Sequence, residues 1–338
     1  MKLSPRIRKR TLGAAAAVFA IALPLAACST GATPSGSGSA GNGNKLKIGV
    51  FIPANSNAYL QAEEKAAKEV GNELGVDVTV VTSNWKAQDQ NTAFQLAQQR
   101  KTYDGWVVNA ISPSDQCNGI KQAANSGIPI IIAITAICGD TGYTPGTVGF
   151  VGEQNKTGYT KWFDTIFKDT PPGPVSVITG PKLDFVTDTT TAAAKDGFAA
   201  HPNFKLTPIE NTDYSTDAAY KAAQTFLNAN NGLKAIASNY SGMTRGVVQA
   251  VKQAGKSDSV LVYDSNGDSW TRDQVAAGTI KAALPGMPYT NIKLSLQLLV
   301  DKIKGKNVAN VTNPLDTLTF PGAPLITKDN VNQWNPEY

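Results

Sequence analysis

Amides, hydroxyls, carboxylates and aromatic rings recur at one kind of place in this chain, just past a short apolar run. Asn55, Ser56, Asn57 and Tyr59 follow the run Leu46–Ile52, Asn84 and Trp85 follow Val76–Val81, and Asn109, Ser112, Ser114 and Asp115 follow Gly105–Val108. Thr135 closes the run Ile128–Ile134, and Asp184, Asn239, Tyr240, Asp264, Asn266, Asp268 and Trp270 end or follow later ones. Amides and carboxylates exchange hydrogen bonds with hydroxyl groups, and aromatic faces cover apolar C–H surface. The set therefore suits a small polyhydroxylated ligand. Asn, Asp and Ser also start helices and form turns. On that ground Asp89 and Asp115 are assigned to helix starts. Trp106, inside an apolar run, and Trp162, at helical spacing from Ile166, are assigned to packing. Tyr59, Asn239 and Asp264 keep the strongest claim to a ligand, because each ends or closely follows an apolar run.

Catalytic chemistry has little to work with. The one histidine, His201, is followed by a proline in a polar stretch and reads as a surface loop residue. No phosphate-binding loop, no Gly-x-Ser-x-Gly elbow, no His-Glu-x-x-His and no dinucleotide fingerprint occurs. Two cysteines besides Cys28 cannot supply the four ligands of a structural zinc site. Neither an enzyme nor a cofactor is expected.

The first residues set the compartment. Lys2, Arg6, Arg8, Lys9 and Arg10 precede an uncharged apolar run from Leu12 to Ala27 that contains Pro24. The run is short and ends in small residues, so residues 1–27 read as a secretory signal and not as a spanning helix. Its end, Leu25-Ala26-Ala27-Cys28, resembles a bacterial lipobox, in which Cys28 takes a lipid and anchors the chain to the membrane. The whole chain has 31 Lys+Arg against 26 Asp+Glu; without the five cations of the signal the balance is 26 against 26. A basic footprint for nucleic acid is absent. Residues 28–44, rich in Gly and Ser, read as a flexible tether. In an exported chain the remaining pair, Cys117 and Cys138, is expected to form a disulfide, with two separate thiols as the alternative.

These residues need elements to position them. Ala58–Leu74 carries Ala62, Ala66, Val70 and Leu74 at a spacing of four, the stripe of a helix that Gly75 closes. The same order of helix, glycine and strand recurs as Ile120–Ser126, Gly127, Ile128–Ile134 and as Val247–Ala254, Gly255, Val260–Tyr263. Further strands are expected at Gly105–Val108, Val175–Thr179 and Lys234–Ala237. Runs such as Ile130-Ile131-Ile132 do not alternate with polar residues, so both faces of the sheet are covered by helices and the strands are parallel. About ten such strands are too many for one sheet here. The fold class is α/β, with two doubly wound Rossmann-like lobes joined by three connecting stretches near Gly152, Pro285-Gly286 and Val311–Pro314. The lobes are expected to be 45–151 plus 286–312 and 152–285 plus 313–338.

The motifs together resemble the type I periplasmic sugar-binding proteins, the ribose-binding-protein-like group, over most of Lys45 to Asn310. Ile48-Gly49-Val50 through Asn57-Ala58-Tyr59 is similar to that family's first strand and loop, and Asp104-Gly105-Trp106-Val107-Val108-Asn109 to its third strand. Gly127-Ile128-Pro129-Ile130, Lys195-Asp196-Gly197-Phe198, Ala235–Asn239 and Val260–Asp264 resemble later stretches. The resemblance implies hinged lobes closing on a sugar or polyol, ABC permease subunits as partners and a monomer in solution. It carries ligand contacts onto Asn57, Tyr59, Asn239 and Asp264; Trp85, Asn109, Thr135, Asp184, Tyr240 and Trp270 complete the expected site. The chain departs from the pattern at Ile134-Thr135-Ala136, where an Asp-Arg pair is usual, at Ala194, where an arginine is usual, and near Gly286–Tyr289, where a glutamine is. Missing arginines remove rigid multi-donor forks and leave the ligand's identity open. A lipid-anchored sensor that passes the signal to a membrane receptor is the alternative role.

Overall fold

A computed structural model describes residues 45–140, 142–182 and 184–338. The signal, Cys28 and the tether lie outside the described residues. Strand β1 (Lys47–Ile52) leads to helix α1 (Ala58–Leu74), whose two ends are written in the sequence. Asn57 Oδ1 accepts the Leu60 amide at 2.9 Å, and Gly75 takes the left-handed conformation, φ 69°, that closes the last turn. The buried face of α1 includes Ala62, Ala66 and Val70, as the spacing requires, and also Glu63, Ala67 and Gly71. The chain continues through β2 (Asp77–Thr82), α2 (Ala87–Arg100), β3 (Gly105–Val108), α3 (Pro113–Asn125), β4 (Ile130–Ala133) and β5 (Gly149–Val151).

After β5 the chain crosses to α4 (Lys156–Asp169), β6 (Pro174–Thr179), α5 (Phe185–Ala200), β7 (Lys205–Leu206) and β8 (Glu210–Asn211). It goes on through α6 (Thr216–Ala229), β9 (Ala235–Ser238), α7 (Ser241–Gln253), β10 (Leu261–Gly267), α8 (Ser269–Ala277) and β11 (Ala282–Pro285). Helix α9 (Pro288–Ile303) returns to pack on α1, β3 and β4, and β12 (Val311–Thr312) pairs with β5. Finally β13 (Ile326–Thr327) pairs antiparallel with β11.

Two sheets result, ordered β12-β5-β4-β3-β1-β2 and β13-β11-β10-β9-β6-β7, with β8 also on β6. Every pairing but that of β13 is parallel. The central strands repeat one winding order, so each sheet has a point where successive crossovers leave in opposite directions, the usual seat of a ligand in open α/β sheets. Both faces of each sheet are covered. Val50, Ile131 and Val151 face a core shared with α1 and α9, and Phe51, Trp106 and Ile132 face one closed by α2 and α3. In the second sheet Ile236 and Val262 meet α6 and α7, while Val177 and Tyr263 meet α4 and α5. Trp106 and Trp162 are fully buried, as their surroundings in the sequence require. His201 is not a free loop residue: it ends α5 half-buried, stacked on Phe167 at 4.2 Å with a ring nitrogen bonded to the Gly197 carbonyl. Among the described residues no helix is long and apolar enough to cross a membrane.

Candidate functional site

The main cavity, about 700 Å³, lies between the two sheets. Its lining comes from strand ends, the segments just past them, or the first turn of the next helix. From the first sheet come Ser56, Asn57 and Tyr59 past β1, Trp85 past β2, Asn109 and Ser112 past β3, and Thr135 past β4. Facing them are Lys182 and Asp184 past β6, Asp213, Tyr214 and Ser215 past β8, Tyr240 past β9 and Asn266 near the end of β10. Gln154, in the crossing after β5, joins the two walls.

A continuous hydrogen-bond chain runs through that joint. Tyr59 is buried, and its hydroxyl donates to Glu153 Oε1 at 2.9 Å. Gln154 Nε2 donates to the Tyr59 oxygen at 3.2 Å and to Asn266 Oδ1 at 2.9 Å. Asn266 Nδ2 in turn donates to the Asn239 carbonyl at 3.2 Å. Glu153 also accepts from the Met287 amide, 3.2 Å away in the second crossing, and from Asn291 Nδ2 on α9. Burial, and then the Glu153 carboxylate, hold the Tyr59 hydroxyl well above the usual phenol range, so it serves only as a neutral group.

Each wall rests on an acid, fully buried in the first and half-buried in the second. Asn109 Nδ2 donates to both carboxyl oxygens of Glu63, at 3.1 and 3.2 Å. Burial pushes the Glu63 carboxyl up to about 8, against the pull of the Asn109 bond. On the other wall Asp184 caps α5, accepting the Thr187 amide at 3.0 Å, and receives the Tyr214 hydroxyl at 2.6 Å on the same oxygen. Burial raises the Asp184 carboxyl, and those two bonds oppose the rise. Tyr214 meets Tyr240 edge to face at 5.7 Å. Its ring lies so close over Gly180 that a Cβ there would stand 2.0 Å from it; only glycine admits this contact.

Seven of the ten residues expected to hold a ligand line this cavity: Asn57, Tyr59, Trp85, Asn109, Thr135, Asp184 and Tyr240. The other three do not. Asp264 is fully buried because its strand continues to Gly267 and turns it into the helix layer, where Thr244 and Thr271 bond its two oxygens. Asn239 is also fully buried, with Nδ2 3.3 Å from Thr190 Oγ1 on α5. Trp270, on α8, is stacked under the Arg245 guanidinium at 4.5 Å. Asp89 and Asp115 stand in first helical turns as expected, although Lys86 and Ser112 occupy the cap positions themselves. Cys117 and Cys138 are joined, with Cα atoms 4.9 Å apart, and so fasten the loop past β4 to α3. Reasoning from sequence missed Gln154 and Tyr214, which follow strands of three and two residues. The Gly149-Phe150-Val151 triplet was a signal for the first; Asn211-Thr212-Asp213 before an aromatic residue was the one available for the second.

Two doubly wound sheets, three crossings and a ring-lined cavity with polar groups between strand ends define a two-lobed solute-binding architecture. A family model described as periplasmic binding protein domain matches residues 48–307, and the chain belongs to that family. Its members bind and deliver solutes and are not enzymes. Among curated relatives, the D-apiose import binding protein of Actinobacillus succinogenes is 25% identical over 247 residues, 70% of this chain and 74% of its own. The D-allose-binding periplasmic protein of Escherichia coli is 26% identical over 273 residues, 79% of this chain and 86% of its own. Among solved structures, an ABC transporter solute binding protein of Bacillus halodurans with bound myo-inositol superposes with a TM-score of 0.76 at 17% identity, covering 89% of this chain and all of that one.

Proposed function

We propose that this chain is an extracytoplasmic, lipid-anchored receptor of an ABC importer that captures a sugar or polyol between its lobes and presents it to permease subunits. The carrying observation is the cavity itself, whose walls offer Asn109, Thr135, Asp184, Tyr240 and Asn266 beside the rings of Tyr59, Tyr214 and Trp85. That mixture suits hydroxyls on one side and C–H faces on the other. Relatives that import apiose and bind allose support the ligand class. The lobes are taken as 45–151 plus 286–312 and 152–285 plus 313–338, closing as a monomer about the three crossings. Anchoring through Cys28 rests on the Leu25-Ala26-Ala27-Cys28 sequence.

A thermal-shift screen of sugars, polyols and amines tests the reading. A ligand at one hundred times its Kd adds about 2.7 kcal/mol to stability, a clear rise in Tm. If no sugar or polyol moves Tm, the reading fails. Small-angle scattering should show a smaller radius of gyration with the ligand; an unchanged radius counts against closure. The variant Cys28→Ser should leave the membrane fraction, and its retention there would sink the anchor.

A further inference from the structure

The cavity is longer than one sugar ring needs, and its outer end carries an aromatic platform. Along the first sheet its lining runs from Gln154, past β5, through the ends of β4, β3 and β1 to Trp85, past the edge strand β2. Four strand spacings at about 4.8 Å make about 19 Å. The second wall spans β10, β9, β6 and β8, three spacings or about 14 Å. The crossings leave from β5, β11 and β12, so Trp85 stands at the edge remote from the hinge, at the mouth of the cleft.

Trp85 is built to stay there. Asn84 and Trp85 both have left-handed backbone, φ 47° and 61°, a conformation that side chains other than glycine and asparagine seldom take. The Trp85 amide donates to the Pro53 carbonyl at 3.0 Å, and its indole Nε1 to Ser56 Oγ at 3.1 Å. A backbone outlier held by several bonds at a cleft is a device that the surrounding structure maintains. The ring is 48% exposed, whereas Trp106, Trp162 and Trp334 are buried, so a large apolar face lies open beside Ser56 and Asn57.

We infer that Trp85 forms a second, outer subsite, and that the ligand is a disaccharide or glycoside whose far ring stacks on its indole while the near ring occupies the inner cleft. This inference rests on the sugar-binding reading above and narrows it to ligands of two rings. Stacking covers the apolar face of a pyranose, and the neighbouring hydroxyl and amide meet its hydroxyls.

Titration calorimetry on the full chain, with D-glucose, D-galactose, D-allose, D-ribose and myo-inositol against cellobiose, maltose, lactose and melibiose, tests it. At least one disaccharide is expected to bind about tenfold or more tighter than either of its component sugars. Its binding should also shift and quench tryptophan emission, because the exposed indole is the one being covered. Trp85→Asn removes the ring yet tolerates the left-handed backbone, and should bring the disaccharide-to-monosaccharide ratio down to about one. Trp85→Phe should retain part of that ratio. A monosaccharide binding as tightly as every disaccharide overturns the inference and leaves the sugar-binding reading standing. A disaccharide preference that survives Trp85→Asn also overturns it, since the far ring then lies elsewhere. If no member of the panel binds, both fall together.

Discussion

Replacing Asp264 by asparagine should stabilise the protein at alkaline pH and hardly change it in acid. The carboxyl is fully buried, with Thr244 Oγ1 on one oxygen and Thr271 Oγ1 on the other at 2.7 Å. Thr244 Oγ1 also reaches the Tyr240 carbonyl at 3.1 Å, and a hydroxyl has a single hydrogen to give. Both contacts are satisfied when Asp264 carries a proton and donates it to Thr244, which donates onward to Tyr240. Burial pushes its pKa from 3.8 up to about 8, although the bonds that Thr244 and Thr271 can donate to the ionised form oppose the rise. Between those values the unfolded chain has lost the proton and the folded chain has kept it. Stability is therefore full in acid and falls as pH rises toward 8, with a slope of about 1.4 kcal/mol per pH unit. Over roughly four units the loss is on the order of 5 kcal/mol. Asparagine keeps the shape, donates from Nδ2 to Thr244, accepts from Thr271 and has no proton to lose. Urea titrations at pH 5, 6, 7 and 8 should give a variant slope shallower than wild type by about 1.4 kcal/mol per unit. Glu63, raised to about 8, adds a second contribution of the same sign, so Asp264→Asn with Glu63→Gln should have a shallower slope than either single variant. An Asp264→Asn variant with the wild-type slope would refute the buried-proton account.

Glu153 accepts from Tyr59, Met287 and Asn291, so Glu153→Gln sets an amide donor among donors. It should cost about 1–3 kcal/mol in denaturant stability; a loss below measurement would show that the crossings do not depend on this side chain. Gly180→Ala puts a methyl 2.0 Å from the Tyr214 ring and should displace it, which an upfield or downfield move of the Tyr214 ring resonances would report. Unmoved resonances would count against the packing described. Reducing Cys117–Cys138 opens a loop of 21 residues and should lower stability by about 3 kcal/mol, read as a fall in the urea midpoint on adding reductant.

The parts of the fold legible in the sequence are those where local chemistry marks both ends. Helix α1 runs from Ala58 to Leu74 as expected because Asn57 and Gly75 are strong stop signals at each side. Strand β3 is likewise bounded by Asp104-Gly105 and Asn109. Strands of two or three residues such as β5 and β8 have no periodicity to read, so the cleft residues that follow them, Gln154 and Tyr214, stayed hidden. The misplacement of Asp264 has a single cause. Its strand was ended at Tyr263 but runs to Gly267, so Asp264 lies within the sheet and Asn266 near the strand end meets the cavity. What decides this is packing against Thr244 and Thr271, residues 20 and 7 positions away, and no local pattern carries that information.

The buried acids also determine what the cleft presents to a ligand. Were Glu63 and Asp264 ionised, each lobe would hold an uncompensated negative charge behind the cleft in a medium of low dielectric. Burial holds both toward the neutral form, and among the described residues the acidic and basic side chains that line the cavity are Lys182, Asp184 and Asp213, all on the second wall. The first wall offers amides, hydroxyls and rings among aliphatic side chains such as Leu60, Ile111 and Ile134. Among the described residues no arginine lines the cavity, so an anionic ligand would meet no planar fork of donors there. A neutral ligand with several hydroxyls meets acceptors at Asp184 and Asn266, hydroxyls at Thr135 and Tyr240, and aromatic faces at Tyr214 and Trp85.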